Sequence, residues 1–175
     1  MGISSKHGKV ETYNWILANK DSINTILDIG VGSGTYFNLL SPIKQFNWTG
    51  VEAWNEYIVK FNIKEKYNTI HNVDIREFNW DTSYDLIIAG DVLEHMSKQA
   101  AIKLVDTALT HTKTLIISIP IVHMPQEEIN NNPFEVHVKD DWSHTEVMET
   151  WGKYIKDSWI PKGKKINVGV YWLSL

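Results

Sequence analysis

The sequence has no cysteine, and this absence narrows both its setting and its chemistry. A disulfide framework is impossible, and a chain without cysteine suits a reducing compartment, so we expect a cytoplasmic protein. The same absence removes the thiolate, so every mechanism that needs a sulfur nucleophile is excluded.

The chain also has no excess of positive charge and no long apolar run. Its 17 Lys and Arg residues stand against 21 Asp and Glu residues, which gives a net charge of −4. Because sequence-independent binding to nucleic acid needs many phosphate-neutralising cations, we do not expect a nucleic-acid partner. No stretch approaches the roughly 20 apolar residues of a membrane helix, and residues 1–9 lack the apolar core of a signal peptide. The sequence therefore predicts no membrane association.

Strand-like and helix-like segments alternate along the chain, which is typical of a mostly parallel sheet with helices on both faces. The patterns predict helices at 10–18, 35–40, 55–64, 98–109 and 143–151. They predict strands at 24–29, 47–52, 68–73, 84–89, 114–119, 154–160 and 166–173. No repeat, low-complexity tract or linker interrupts the chain, so we expect residues 1–175 to form a single domain.

The last two predicted strands depart from this alternation, because only residues 161–165 separate them. That gap is too short for a crossover helix, so the two strands must form an antiparallel hairpin. The expected fold is therefore an α/β doubly wound, mostly parallel sheet that ends in a C-terminal hairpin. A plain dinucleotide-binding fold does not end in this way.

A glycine-rich turn follows the first predicted strand, in the segment Leu27-Asp-Ile-Gly-Val-Gly-Ser-Gly34. Glycine lets the backbone bend sharply and approach a ligand closely, and ligands of open α/β sheets lie beyond the carboxyl ends of the strands. The third glycine comes one residue earlier than in the G-x-G-x-x-G dinucleotide fingerprint. Asp28 at the strand end would repel a pyrophosphate but would suit a ligand with an ammonium group and no phosphate, such as S-adenosylmethionine.

Segment 27–34 resembles the first motif of the class I S-adenosylmethionine-dependent methyltransferases, and the resemblance extends over essentially the whole chain. It implies a seven-stranded sheet whose terminal hairpin makes the last strand antiparallel to the others. It also implies S-adenosylmethionine as cofactor and methyl transfer as activity. The residues expected to contact the cofactor are Asp28, Gly30, Val31, Gly32, Gly34, Glu52, Ala53, Asp74, Ile75, Asp91 and Val92.

Acidic residues end four successive predicted strands: Asp28, Glu52, Asp74 and Asp91. A lone acid at a strand end is commonly a turn or cap residue, whereas four in register indicate a ligand site. The Glu52 carboxylate can accept hydrogen bonds from both ribose hydroxyls. The resemblance assigns Asp74 to the adenine amino group and the segment from Asp91 to the methionine end of the cofactor.

The segment Asp91-Val-Leu-Glu94-His95 is the first candidate for chemistry on the acceptor. In a helix, Asp91, Glu94 and His95 would share one face. The motif resembles that of quinone-biosynthesis O-methyltransferases and RNA 3′-terminal 2′-O-methyltransferases, some of which hold a divalent metal with such residues. Some of those proteins have Glu where Asp91 stands, and Asp is one methylene shorter, so we predict no metal site. The alternatives are a structural helix start and a role for His95, with Glu94, as acceptor-side base.

A long connection follows the fifth predicted strand, over residues 120–142. Connections of this length are typical of lids and binding loops. We expect His123 and His137 to meet His95 there as candidate catalytic residues, with hydrogen-bonded loop histidines as the alternative. Trp142 is predicted to form a wall of the acceptor site.

The leading hypothesis is a methyltransferase that acts on an oxygen or nitrogen of a small-molecule acceptor. No Asn/Asp-Pro-Pro-Tyr motif follows the fourth predicted strand, and no insertion is long enough for a target-recognition domain, which disfavours large nucleic-acid and protein substrates. One alternative is a catalytically silent module that binds S-adenosylmethionine. Another is a metal-assisted O-methyltransferase with a quinone-like or RNA-end acceptor. The glycine spacing and the terminal hairpin argue against an NAD-type oxidoreductase.

Overall fold

The computed structural model describes residues 8–161 and 168–175, which contain a seven-stranded sheet in the order β3-β2-β1-β4-β5-β7-β6. The strands are β1 Thr25–Ile29, β2 Asn47–Val51, β3 Thr69–His71, β4 Tyr84–Gly90, β5 Thr112–Pro120, β6 Ile155–Trp159 and β7 Val168–Leu173. The helices are α1 Lys9–Asn19, α2 Thr35–Leu40, α3 Asn55–Lys60, α4 Ile63–Lys66, α5 Lys98–Thr110 and α6 His144–Trp151.

The neighbouring strands from β1 to β5 pair in parallel, and β7 runs antiparallel to both β5 and β6. The predicted seven-stranded sheet with its C-terminal hairpin is therefore confirmed. The predicted start of the last strand, Ile166, lies outside the described residues.

The central strands bury both of their faces, as the doubly wound prediction requires. Successive residues of a strand point to opposite faces of the sheet. Ile26 and Ile88 pack into the cluster that contains Leu40 of α2. Leu27 and Ile87 pack into the cluster on the other face, which is covered by α5 and α6.

Helix α5 shows how the sequence pattern produces this packing. Its Ser97 cap accepts a hydrogen bond from the Ala100 amide at 3.3 Å. Its buried residues recur three and four positions apart, which makes one apolar stripe that faces the sheet. These residues are Ala101, Leu104, Val105, Ala108 and Leu109.

The single helix predicted for 55–64 is wrong, because the chain forms the two short helices α3 and α4 instead. Asn62, between them, has a left-handed φ of 51°. Asparagine tolerates this conformation better than most residues, since its short polar side chain can hydrogen-bond locally. None of the helices within the described residues is both long and apolar enough to cross a membrane.

Candidate active site

The glycine-rich turn joins β1 to α2 in a conformation that other residues tolerate poorly. Gly30, Gly32 and Gly34 have φ angles of 69°, 53° and 78°, in the left-handed region where a Cβ is strained. A Cβ on Gly30 would also lie 2.7 Å from Cγ2 of Val92. The shape of the turn therefore requires glycine independently of any ligand.

Glu52 holds this turn against the end of β2. Its Oε2 accepts a hydrogen bond from the Gly32 amide at 2.8 Å, and its Oε1 accepts one from the Trp54 amide at 2.8 Å. Burial raises the pKa of Glu52, and the bonds from these amides oppose that rise. Because each carboxylate oxygen has a second lone pair, Glu52 can still accept hydrogen bonds from a ligand beside the turn.

Asp28 lies in β1 just before the turn, with only 1% of its surface exposed. The Tyr67 hydroxyl donates a hydrogen bond to its Oδ2 at 2.5 Å. Burial raises the pKa of Asp28 to about 7, while the Tyr67 bond acts in the opposite direction. This burial leaves Asp28 almost no exposed surface for a ligand, which differs from the direct ligand contact expected from the sequence.

A cavity of about 700 Å³, counting its solvent-open part, lies beside the turn and the end of β2, and we call it the β2-side cavity. Eight of the residues expected to contact the cofactor line it: Gly30, Gly32, Glu52, Ala53, Asp74, Ile75, Asp91 and Val92. Of the other three, Val31 lines a second cavity. Asp28 and Gly34 belong to neither wall as the described residues form them.

Asp74 is held by its neighbour Arg76. Its Oδ1 accepts hydrogen bonds from the Arg76 amide and Nε, each at 2.9 Å, and its Oδ2 pairs with Nη2 of the same residue. These bonds lower the pKa of Asp74. The carboxylate is therefore ionised and fixed in place at the edge of the cavity.

The second cavity, which we call the β5-side cavity, has about 1040 Å³ with its solvent-open part. It lies between α2, the end of β4 and the connection that follows β5. The two cavities share five lining residues, which are Gly30, Gly32, Asp91, His95 and Glu135. Two ligands placed in the two cavities would therefore meet at this shared wall.

Asp91 belongs to a charged network rather than to a helical face. Residues 93–95 form a single 3-10 turn, and Asp91 before it has a left-handed φ of 58°. Its Oδ1 accepts a hydrogen bond from the Ser118 hydroxyl at 2.9 Å, and its Oδ2 lies 3.6 Å from Nζ of Lys9. Lys9 also donates to the Tyr36 hydroxyl at 2.8 Å. Lys9 thereby links helix α1 to Tyr36 and Asp91, which both line the β5-side cavity.

His95 and His137 come together in the wall of the β5-side cavity, with ring centroids 4.9 Å apart. Nδ1 of His95 lies 3.2 Å from the Val136 carbonyl oxygen, and Nδ1 of His137 lies 2.5 Å from that of Met124. Burial lowers the pKa of His95, and the neighbouring His137 lowers it further. The predicted meeting of these two histidines is thus present in the structure.

A family model described as a methyltransferase domain matches residues 10–158. The chain belongs to this methyltransferase family. Members of the family use S-adenosylmethionine as methyl donor. A curated relative, (S)-tetrahydroprotoberberine N-methyltransferase from Eschscholzia californica, is 29% identical over 125 residues, which are 67% of this chain and 34% of that protein. The chain thus spans about a third of the length of that relative.

Solved methyltransferase structures share the fold. One from Clostridium acetobutylicum has a TM-score of 0.73 at 14% identity and covers 99% of this chain and 93% of that one. Magnesium protoporphyrin IX methyltransferase from Synechocystis PCC 6803, with bound S-adenosylmethionine, has a TM-score of 0.67 at 15% identity, with coverage of 95% and 78%.

Two predictions for the long connection after β5 are wrong. The His123 side chain is 70% exposed, lies 3.7 Å from Oδ2 of Asp140, and contributes to neither cavity wall among the described residues. Trp142 is 1% exposed and packs against Trp151, with ring centroids 5.3 Å apart, in the core under α6. A large aromatic residue is stabilised more by complete burial than by a place in an open wall.

Four residues that line the β2-side cavity carry no signal in the sequence that predicts this position: Tyr57, Asn132, Phe134 and Glu135. The Tyr57 hydroxyl of α3 donates to Oε1 of Glu135 at 2.7 Å, and Phe134 lies 6.4 Å from Trp54 between ring centroids. Asn132 fixes the local turn by accepting a hydrogen bond from the Phe134 amide at 3.0 Å. The Asn-Asn-Pro-Phe-Glu segment marks a capped turn, but its sequence does not indicate that it packs on α3.

Proposed function

We propose that this chain is an S-adenosylmethionine-dependent methyltransferase that transfers a methyl group to an oxygen or nitrogen of a small-molecule acceptor. The observation that carries the proposal is the wall shared by the two cavities, because methyl transfer needs a donor and an acceptor in line. S-adenosylmethionine supplies, when bound, a methyl group activated by its sulfonium. Orientation of two bound reactants contributes up to about 7–11 kcal/mol to the acceleration of such reactions.

The residues of the β2-side cavity fit this cofactor. The free lone pairs of Glu52 suit a pair of ribose hydroxyls, and the fixed carboxylate of Asp74 suits an amino donor. Ile75 and Val92 are mostly buried apolar side chains in the cavity wall, and they suit van der Waals contact with the faces of an adenine ring. Asp91, in the shared wall, suits the methionine amino group.

The β5-side cavity supports the acceptor half of the proposal. In the neutral form of either ring, Nε2 carries the lone pair, because each Nδ1 faces a carbonyl oxygen that can only accept. The lowered pKa of His95 keeps its ring neutral at neutral pH, so it can take a proton from an acceptor hydroxyl or ammonium. Glu94 lines the same wall. The curated N-methyltransferase relative supports a nitrogen acceptor.

Calorimetry with S-adenosylmethionine and S-adenosylhomocysteine tests the donor half. We expect both to bind, and Glu52→Gln to weaken both by about 10- to 100-fold, since a charged hydrogen bond is lost. The matched control is Glu149→Gln on the exposed face of α6, which should leave both affinities unchanged. Failure of the wild-type chain to bind either compound would contradict the proposal.

Transfer of a labelled methyl group to a library of small amines and alcohols tests the acceptor half. We expect turnover with at least one class of acceptor. Tight cofactor binding without turnover on any of them would instead identify a catalytically silent binding module.

A further inference from the structure

Part of the connection after β5 forms a wall of the β2-side cavity, and we call residues 126–137 the strap. The strap contributes Asn132, Phe134 and Glu135 to this wall. The glycine turn and the residues at the ends of β2, β3 and β4 supply most of the remainder. A ligand that fills the cavity would therefore contact the strap as well as the sheet.

The base of the strap is anchored by backbone hydrogen bonds. The Met124 amide donates to the Asp140 carbonyl oxygen at 2.7 Å, which brings the two ends of the strap together. The Val138 amide donates to the Glu94 carbonyl oxygen at 2.8 Å and joins the base to the turn after β4. Surface loops whose ends are close in this way are compact units. The tip of the strap can therefore move while its base stays in place.

Hydrogen bonds within the strap keep its tip in one shape. The side-chain amide of Gln126 donates to the Glu135 carbonyl oxygen at 2.6 Å, and the Gln126 carbonyl oxygen accepts from the His137 amide at 3.0 Å. Asn132, which is 2% exposed, accepts a hydrogen bond from the Phe134 amide at 3.0 Å. The position of the tip thus depends on its contacts outside the strap.

Tyr57 of α3 makes a contact that fixes the tip. Its hydroxyl donates to Oε1 of Glu135 at 2.7 Å, and we call this hydrogen bond the latch. Burial raises the pKa of Tyr57, and the bond to Glu135 raises it further, so the hydroxyl keeps its hydrogen at neutral pH. Phe134 adds an aromatic contact with Trp54, whose ring-centroid distance of 6.4 Å lies within the range of favourable pairs.

The latch connects the donor side of the site to the acceptor side. Trp54, which contacts the strap, donates its amide to Oε1 of Glu52 at 2.8 Å. The strap therefore packs on the segment that carries the candidate partner of the ribose. Glu135 lines both the β2-side cavity and the β5-side cavity. Both walls are complete only while the latch holds Glu135 in place.

We propose that Tyr57 is a positioning residue that holds the strap closed through Glu135, so that the cofactor enters and leaves the β2-side cavity only when the latch breaks. This role rests on the proposed function, because it requires S-adenosylmethionine in that cavity. Since the acceptor wall is complete only with the latch formed, the donor must bind before the acceptor, and S-adenosylhomocysteine must leave last. Tyr57 acts through Glu135 and takes no part in methyl transfer itself.

Stopped-flow tryptophan fluorescence with S-adenosylhomocysteine tests this role, because Trp54 lies beside the strap. Tyr57→Phe removes the donor of the latch and keeps the ring. We expect its association and dissociation rate constants to rise together, each by about 10-fold, since a hydrogen bond to a charged group contributes about that factor. The Kd should stay nearly unchanged. Damage to the binding site would instead raise the dissociation rate constant alone.

Three further variants separate the latch from a general loss of packing. Tyr13→Phe in α1 is the matched control and should change neither rate constant, since Tyr13 lines neither cavity among the described residues. Glu135→Gln keeps an oxygen acceptor for Tyr57 and should raise both rate constants less than Tyr57→Phe does. In a Glu135→Ala protein, Tyr57→Phe should add nothing, because the partner is already gone. Additive effects of the two changes would overturn the latch.

Amide hydrogen exchange of the chain without cofactor tests the latch independently of binding. The Phe134 amide is bonded within a tip whose Asn132 is almost fully buried, so release of the tip from α3 exposes this amide. Tyr57→Phe should speed exchange at Phe134 and leave α5 unchanged. Equal exchange at Phe134 in the wild type and in Tyr57→Phe would overturn the latch.

The outcomes distinguish this role from the proposed function. A wild-type chain that binds no S-adenosylhomocysteine would contradict the proposed function and the gating role with it. A wild-type chain that binds this compound, with rate constants that Tyr57→Phe leaves unchanged, would overturn the latch alone. A higher dissociation rate constant with a lower association rate constant would make Tyr57 a direct cofactor contact, and this too would overturn the latch.

Discussion

The two cavities differ in how their walls are built from the chain. The β2-side cavity takes most of its wall from the glycine turn and from residues that directly follow β2, β3 and β4. The β5-side cavity depends on contacts between distant segments, such as Lys9 with Asp91 and His95 with His137. Most of the first wall follows from strand order, although Asn132, Phe134 and Glu135 in it come from the long connection. The second exists only when α1 and the long connection pack in one particular way.

In the proposed function, the β2-side cavity holds the methyl donor and the β5-side cavity holds the acceptor. The ends of neighbouring parallel strands must meet in any sheet of this order, so the part of the β2-side wall that they form does not depend on how the loops pack. The long connection can change its sequence without altering the sheet, since loops tolerate variation better than the elements they join. We therefore expect acceptor choice to depend on residues of this connection that line the β5-side cavity, such as His137 and Glu135.

The largest expected effect is a loss of stability at Trp142, which the structure places in the core and not in a cavity wall. Trp142→Ala should lower the free energy of unfolding by about 3–5 kcal/mol, because it leaves a cavity in the packed core. Urea unfolding measures this loss, and Trp142→Phe should lose less. At a temperature where the variant stays folded, we expect its KM for an acceptor to match that of the wild type. A raised KM with unchanged stability would return Trp142 to the acceptor wall.

The second effect concerns Asp28, the buried carboxyl group near the end of β1. The pKa of Asp28 is raised from 3.8 to about 7, so between these values the native state binds more protons than the unfolded state. Stability should therefore fall as pH rises from about 4 to 7, by at most roughly 4 kcal/mol from this group. Asp28→Asn keeps an acceptor for Tyr67 and should remove this part of the pH dependence. An identical pH profile of unfolding in both proteins would contradict the buried position of Asp28.

The sequence predicts those parts of the fold that depend on local pattern and strand order. It gives the seven strands, the terminal hairpin and eight residues of the β2-side wall. It misplaces Trp142 because the residues around an aromatic side chain in a loop do not show whether that side chain packs into the core or lines a cavity. It misses the network of Lys9 and Asp91 because the partners are distant in sequence and the pairing depends on the position of α1.

The smallest effect compares two glycines of the same turn. Gly30 and Gly32 both have positive φ, but a Cβ on Gly32 would have its nearest neighbour, the Gly30 carbonyl oxygen, at 3.9 Å. Gly32→Ala should therefore cost only the backbone strain, about 1–2 kcal/mol. Gly30→Ala adds the contact with Cγ2 of Val92 at 2.7 Å, so its loss of stability should be larger. Thermal unfolding of both variants measures the difference.

The same two glycine variants can also be compared in their affinity for the cofactor at the β2-side cavity. Val92 lines the β2-side cavity, so a Cβ on Gly30 that displaces it should also weaken S-adenosylhomocysteine binding. Gly32→Ala leaves Val92 in place, and its effect on affinity should be smaller as long as the amide still reaches Glu52. If Gly32→Ala weakened binding more than Gly30→Ala, the amide held by Glu52 would matter more to the β2-side cavity than the position of Val92.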